Sequence, residues 1–491
     1  MKSTSYFFRT FFALILATAA FLFFKEMLSK KLFPENKTIT KNVVVDSLLL
    51  DAISEANDTI ANTKIKENKK IQQKKKVILK KKNGVAFPTE KYNDFKGNQY
   101  LISFYEKLFQ LESEKKGNVR IAYYGDSMTD GDMIVKDFRT YLQEKFGGNG
   151  VGFVSITSES ASSRSSLVHE FSSNWKYQSY LKGKKPSYPF GVNGHVFYAN
   201  DTLNAPWVRY KANKTRFAME LNKPTLFYGQ SENKDGEVFY ISNGDTITKK
   251  LLPSKRLNTM KLSEGNISSL KVFFKDADSI PIYGFNFDDG KGIHVDNFSS
   301  RGNSGLPLSI FSKNMMNQFQ EQLGYDLIIL HYGTNVLNYG SLNYSWYERK
   351  MERVVAHLKE CFPDVTILVV STADKSTKYG LEMKTDSAVV PLSTAQKRYA
   401  IASESGFVNL YTLMGGDGSM VKWVEEEPAK ANKDYTHFNF RGANEVAKLL
   451  YKQINEGYTT YKTLRLKGKV MPKVKIKKDS IHKIKDSLNA Q

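Results

Sequence analysis

Apolar and polar positions change rhythm several times along the chain. Residues 119–124 form a short apolar, aromatic run that ends at Gly125. Met133, Ile134, Phe138, Tyr141, Leu142 and Phe146 then recur at helical spacing. Strand, tight turn and helix in this order make the βα unit of a parallel sheet. The alternation returns later in the chain. Residues 327–332 predict a second buried strand closed by Gly333, and Tyr347, Met351, Val354, Val355 and Leu358 predict a helical face. Residues 366–370 and 407–411 predict two more strands, and Ala443, Val446, Ala447, Leu450 and Ile454 a closing helix.

Between the first unit and the second the period drops to two. Short alternating runs at 225–228, 238–242, 270–274 and 280–287 are separated by turn residues, Asn243-Gly244 among them. This predicts a β-rich domain at 158–295 inserted into an α/β domain made of 98–157 and 296–457.

The ends differ in composition. Residues 10–24 carry no charge, and 6–24 give 19 residues with Arg9 free to snorkel, near the ~20 that span a bilayer. Residues 1–29 are therefore expected to anchor the chain in a membrane. The alternative is a secreted chain cleaved at Ala17-Thr18-Ala19. Residues 30–97 are polar and Lys-rich and read as a tether with a short helix near 43–60; 458–491 read as a basic tail. The net charge of +22 sits mostly on these segments: +9 on 64–82 and +8 on 462–491 leave +5 elsewhere. Charge on tails reads first as solvated segments, with an anionic envelope or lipid surface as the alternative partner, and argues against a nucleic-acid binder. A single cysteine, Cys361, excludes an intramolecular disulfide framework, and no HExxH or GxxxxGK[ST] motif occurs.

Candidate chemistry collects where predicted strands end. Gly125-Asp126-Ser127 follows the first strand; a serine there can face a helix N-terminus, although Asp and Ser are also ordinary caps. Asp434 lies three residues before His437, close enough to orient its ring; a solvated loop histidine has the same spacing. Arg301-Gly302-Asn303-Ser304-Gly305 and Gly333-Thr334-Asn335 offer backbone and side-chain N–H donors for an oxyanion, or plain turns.

In this order the four blocks resemble the SGNH, or GDSL-type, hydrolase superfamily over roughly 98–157 and 296–457. The resemblance implies a flavodoxin-like three-layer α/β/α fold. It implies Ser127 as nucleophile, His437 as base and Asp434 as its orienter. The backbone N–H groups of Ser127 and Gly305, with Gly302 as the alternative to Gly305, and the Asn335 side chain would form the oxyanion hole. Met128 and Val336 depart from residues common at those positions, and neither supplies a reacting group. The insert, and the stretch from Gly131-Asp132 through 150–153, resemble bacterial peptidoglycan O-acetylesterases, whose insert is a carbohydrate-binding β-sandwich. Trp175 and Trp207 are the candidate stacking platforms.

The expectation is a serine esterase held at a membrane with its body outside the cytoplasm, in the periplasm or cell envelope. It would remove O-acyl groups, acetyl foremost, from a polysaccharide such as peptidoglycan, with no metal or organic cofactor. The same residues would serve an O-acetyltransferase, a lipase or a thioesterase. A glycan-binding protein on a hydrolase fold is the non-catalytic alternative.

Overall fold

The structure is a computed structural model that describes residues 46–62, 84–183, 185–201, 203–242, 245–337 and 342–469, with isolated positions 11, 12, 15, 16 and 18. The membrane-anchor run, the Lys-rich stretch 64–82, the Asn243-Gly244 turn and residues 470–491 lie wholly or mostly outside the described residues. Among the described residues no helix is long and apolar enough to cross a membrane.

Five parallel strands form the central sheet: β1 (Asn118–Gly125), β2 (Gly292–Asn297), β3 (Tyr325–His331), β4 (Thr366–Val370) and β5 (Gly406–Val408). Their order across the sheet is β2-β1-β3-β4-β5. β1 and β3 are buried along almost their whole length, as continuous apolar runs between two covering layers require. Helices Ile102–Glu114, Met133–Phe146 and Phe440–Lys469 cover one face, sharing a core of Leu108, Phe138, Ile329 and Val446. Helices Lys313–Leu323, Ser345–Cys361 and Val389–Ala402 cover the other, around Met316, Ile328, Val354 and Leu392. This three-layer arrangement has the flavodoxin-like strand order, whose direction of winding reverses between β1 and β3.

Residues 150–288 leave this sheet and build two antiparallel ones. Burial alternates along Trp207–Ala212 and Ser269–Lys275, and Val208, Val272, Leu226 and Phe285 fill one core. The result is a β-sandwich. Strands change sheet at Gly150 and Gly292 rather than near 158 and 295. The polar residues of β2 explain the difference. His294 and Asp296 give it the alternating look of a half-exposed strand, yet both are fully buried. Asp296 is satisfied by Arg120 of β1, which donates from Nε at 2.7 Å and from Nη2 at 3.0 Å. Arg120 also donates to Asp288 and Asn286 of the sandwich strand Ile282–Asp288, at 2.5 and 2.6 Å. One guanidinium thus ties the inserted domain to the parallel sheet.

Three other expectations are revised. Residues 407–411 are not one strand: β5 ends at Val408, and the Asn409 side chain caps the helix Leu410–Met414. The last helix does not end at 457 where the composition turns basic. It runs to Lys469 because Tyr458 and Tyr461 stay buried, with rings 6.5 and 6.1 Å from that of Tyr105. The helix Ser47–Asn62 of the expected tether packs on the body through Leu49 and Ala52, and Val85 and Phe87 join the core beside Ile102–Glu114.

Candidate active site

β1 delivers Ser127 to the crevice where the strand order reverses. Gly125 is required there, because a Cβ would lie 2.2 Å from Thr129 Oγ1. The amides of Thr129 and Asp130 fold back onto Asp126 O at 3.2 and 3.1 Å, making a tight turn. Ser127 does not open a helix as the sequence suggested. The 3₁₀ turn Asp130–Asp132 intervenes, and the helix begins at Met133. Its donors are therefore loop amides rather than a helix terminus.

Asp126 is buried beneath the serine and holds two loops together. It accepts from Met128 N at 3.0 Å and from Thr334 N, on the loop after β3, at 3.2 Å. Burial pushes its carboxyl up to about 6, against the pull of the Met128 and Thr334 amides and of His437. The loop after β3 presses close to β4: a Cβ on Gly333 would lie 2.5 Å from Thr372 Cβ.

The loop before the last helix supplies the base. Asp434 Oδ1 accepts from the amides of Thr436 and His437 at 3.0 and 2.9 Å, an Asx turn that points its other oxygen at the ring. That oxygen lies 2.8 Å from His437 Nδ1. Because an ionised carboxylate can only accept, Nδ1 carries the proton and Nε2 is left as an acceptor. Nε2 lies 3.0 Å from Ser127 Oγ. Partial burial works against the charge on Asp434, but hydrogen bonds from the ring and the two amides hold its carboxyl down to about 2. Serine, imidazole and carboxylate thus stand in line, and the ring can take the hydroxyl proton.

The groups expected to donate to an oxyanion differ in the partners they already have. Gly305 N–H is donated to Asn303 Oδ1 at 2.9 Å, so this glycine closes its own turn and is not offered to a substrate. The Ser127 and Gly302 amides have no protein partner among the described residues. Gly302, the alternative to Gly305, stands at φ 76°. Asn335 donates one N–H from Nδ2 to Asn303 O at 3.1 Å, which fixes its amide plane and leaves the second N–H.

Two residues that hold this loop were given no role of their own by the sequence. Asn303, fully buried, also donates to Tyr180 Oη of the insert at 2.8 Å. Asp46 caps the helix Ser47–Asn62 through the amides of Leu48 and Leu49, and its second oxygen accepts from Ser304 N at 3.1 Å and from Ser304 Oγ. Asp46 lies 258 positions from Ser304, and nothing local in the sequence announces the contact. The candidate platforms for sugar stacking also differ. Trp175 is a core residue, 6% exposed and edge-on to Phe274 at 5.1 Å, and Lys271 Nζ lies 4.2 Å over the Trp207 ring.

No protein family and no curated protein matches the sequence. Among solved structures, one of a peptidoglycan O-acetylesterase is similar at a TM-score of 0.60 and 20% identity, covering 73% of this chain and 96% of that one. A family two carbohydrate esterase from Cellvibrio japonicus aligns at a TM-score of 0.24 and 11% identity, covering 60% and 98% of the two chains. That second likeness is too low to carry an argument. The first spans both the parallel sheet and the insert, and with the strand order and the four loop blocks it gives this chain the fold of the SGNH, or GDSL-type, hydrolases.

Proposed function

We propose that the protein is a serine esterase that removes O-acyl groups, acetyl above all, from an envelope polysaccharide such as peptidoglycan. One observation carries the reading: Ser127 Oγ, the His437 ring and Asp434 are joined by hydrogen bonds of 3.0 and 2.8 Å beside two unpartnered loop amides. In this reading His437 Nε2 takes the proton from Ser127 as Oγ attacks the ester carbonyl. The oxyanion is received by Ser127 N, Gly302 N and Asn335 Nδ2. His437 then protonates the leaving sugar hydroxyl, and the acyl-serine is hydrolysed by water that the same ring deprotonates.

The preference for a glycan ester rests on the likeness in fold to a peptidoglycan O-acetylesterase. The uncharged run 10–24 and the Lys-rich segments support a place at a membrane, facing an anionic envelope. The test is acetate release from O-acetylated peptidoglycan and from other acetylated glycans, with the Ser127→Ala variant as the control. Release that depends on Ser127 supports the reading. Transfer of acetyl to a glycan acceptor in place of water would make the protein a transferase.

A further inference from the structure

Asn303 is fully buried in the oxyanion loop, between Gly302 and Ser304. Its Oδ1 accepts from Gly305 N at 2.9 Å, and its backbone carbonyl accepts from Asn335 Nδ2 at 3.1 Å. Its Nδ2 donates to Tyr180 Oη at 2.8 Å and, at a longer 3.4 Å, to Tyr332 Oη. A primary amide has two N–H groups, and both are committed here, so the side chain has none left for a substrate. Two of the three donors proposed for the oxyanion nevertheless meet at this residue. Gly302 directly precedes it in the chain, and Asn335 is bonded to its backbone.

The shorter of the two Nδ2 bonds goes to the insert. Tyr180 opens the 3₁₀ turn Tyr180–Lys182, which Ser179 caps by accepting from Leu181 N at 3.3 Å. In sequence this turn lies inside the inserted stretch, but in packing it belongs to the catalytic domain. Tyr180, Phe190 and Val192 share a core with Phe311, Met316 and Val354, not with Val208 and Val272 of the sandwich. The Tyr180 ring stacks on Phe311, with 5.8 Å between centroids and 7° between planes. Gly194, at φ 74°, approaches the ring so closely that a Cβ there would lie 2.5 Å from Tyr180 Cε1. Tyr124 of β1 donates from Oη to Val192 O at 2.8 Å, which ties the same segment to the strand that delivers Ser127. A ring packed this tightly keeps its hydroxyl in one place.

We propose that Tyr180 is a positioning residue of the esterase: through Asn303 it holds the Gly302 amide and the Asn335 side chain where the oxyanion forms. This rests on the reading of the site as a serine esterase. It makes one segment of the insert a component of the chemistry, separate from anything the sandwich binds. Donors displaced from the oxyanion stabilise the transition state less while the ground state binds as before, so the loss falls on kcat. A Tyr180 that only filled the core would cost stability and leave turnover alone.

The experiment is hydrolysis of a small activated acetyl ester by the full chain carrying Tyr180→Phe. The ester has no sugar, so no change can come from glycan contacts. Phe keeps the stacked ring and removes the acceptor. The expected result is a kcat lower by about tenfold at unchanged KM. Tyr240→Phe is the control: its hydroxyl, also buried, donates to Leu262 O at 2.7 Å within the sandwich, and its loss should cost stability without lowering kcat. Asn303→Ala and the double variant Tyr180→Phe/Asn303→Ala complete a cycle. The double variant should be no slower than Asn303→Ala alone, because Tyr180 acts through Asn303. Thermal melting verifies the fold of each, and Asn303→Ser replaces Asn303→Ala if the latter does not fold. An unchanged kcat in folded Tyr180→Phe, a raised KM at constant kcat, an equal loss in Tyr240→Phe or additive losses in the cycle overturns the positioning role. Ser127→Ala is assayed beside these variants. Hydrolysis that persists without Ser127 overturns the esterase reading itself, whereas Ser127-dependent hydrolysis indifferent to Tyr180→Phe overturns this inference alone.

Discussion

At the scale of single residues, the chemistry depends on which atoms already have partners. Ser127→Ala removes the attacking oxygen but a half-buried hydroxyl only, so hydrolysis of an activated acetyl ester should fall by about three orders of magnitude or more while the melting temperature hardly moves. His437→Ala should be about as damaging, since the residues act as a unit, and Asp434→Asn less so. Retention of more than a tenth of the activity by Ser127→Ala would remove it as the nucleophile. Acidification should also reduce turnover as the His437 ring protonates, whereas Asp434, held at about 2, keeps its charge at mildly acid pH. Asp126 gives a separate pH signature in stability. Its carboxyl is raised to about 6 in the fold, so its contribution is fullest below the ordinary carboxylate range and declines as pH rises through 6. The stability lost in Asp126→Asn, measured by urea unfolding, should therefore be greater at pH 4 than at pH 7. An equal loss at both would show that the buried carboxyl does not titrate there.

At the scale of elements, the site is a set of loops held in register by contacts from remote parts of the chain. The oxyanion loop 301–305 is braced by Asp46 from the N-terminal helix and by Tyr180 from the insert. Asp46→Ala leaves Ser304 without its acceptor and should lower kcat on a small ester by about tenfold with little change in KM, because the loop meets the oxyanion and not the leaving group. A raised KM at constant kcat would mean that the helix shapes the binding surface instead. These braces explain what could be read from the sequence and what could not. β1, β3 and β4 were legible because each is a continuous apolar run with a glycine or a polar cluster at its end. Ser127 was legible because its block stands at the end of β1, and Asp434 and His437 because their block stands just before the last helix. β2 was not, since His294 and Asp296 make a buried strand look half exposed. Gly305 ranked above Gly302 on sequence position alone, which cannot show that the Asn303 side chain accepts from the Gly305 amide. Asp46 was invisible for a simpler reason: a contact across 258 positions leaves no local pattern.

At the scale of the whole molecule, the two domains meet at a buried polar junction. Arg120, 2% exposed, bridges Asp296 of the parallel sheet and Asp288 of the sandwich, while Tyr325 Oη donates to Asp296 at 2.6 Å. Arg120→Ala leaves two buried carboxylates without their cation and should destabilise the fold by about 3–5 kcal/mol, read from the urea midpoint. A loss below about 1 kcal/mol would show that this junction adds little to the other contacts between the domains. Trp175→Ala, in the core of the sandwich, should lower the melting temperature and reduce glycan and small-ester hydrolysis together, since it acts through folding rather than through sugar contact. The central claim is that this two-domain frame presents Ser127 to an acyl ester on a glycan. Its most direct test is acetate released from O-acetylated peptidoglycan, followed over time for the wild-type chain and for Ser127→Ala at equal concentration. The account predicts steady release by the wild type and none above the spontaneous rate by the variant. Equal release by both, or no release from any acetylated glycan by a folded wild-type chain, would contradict it.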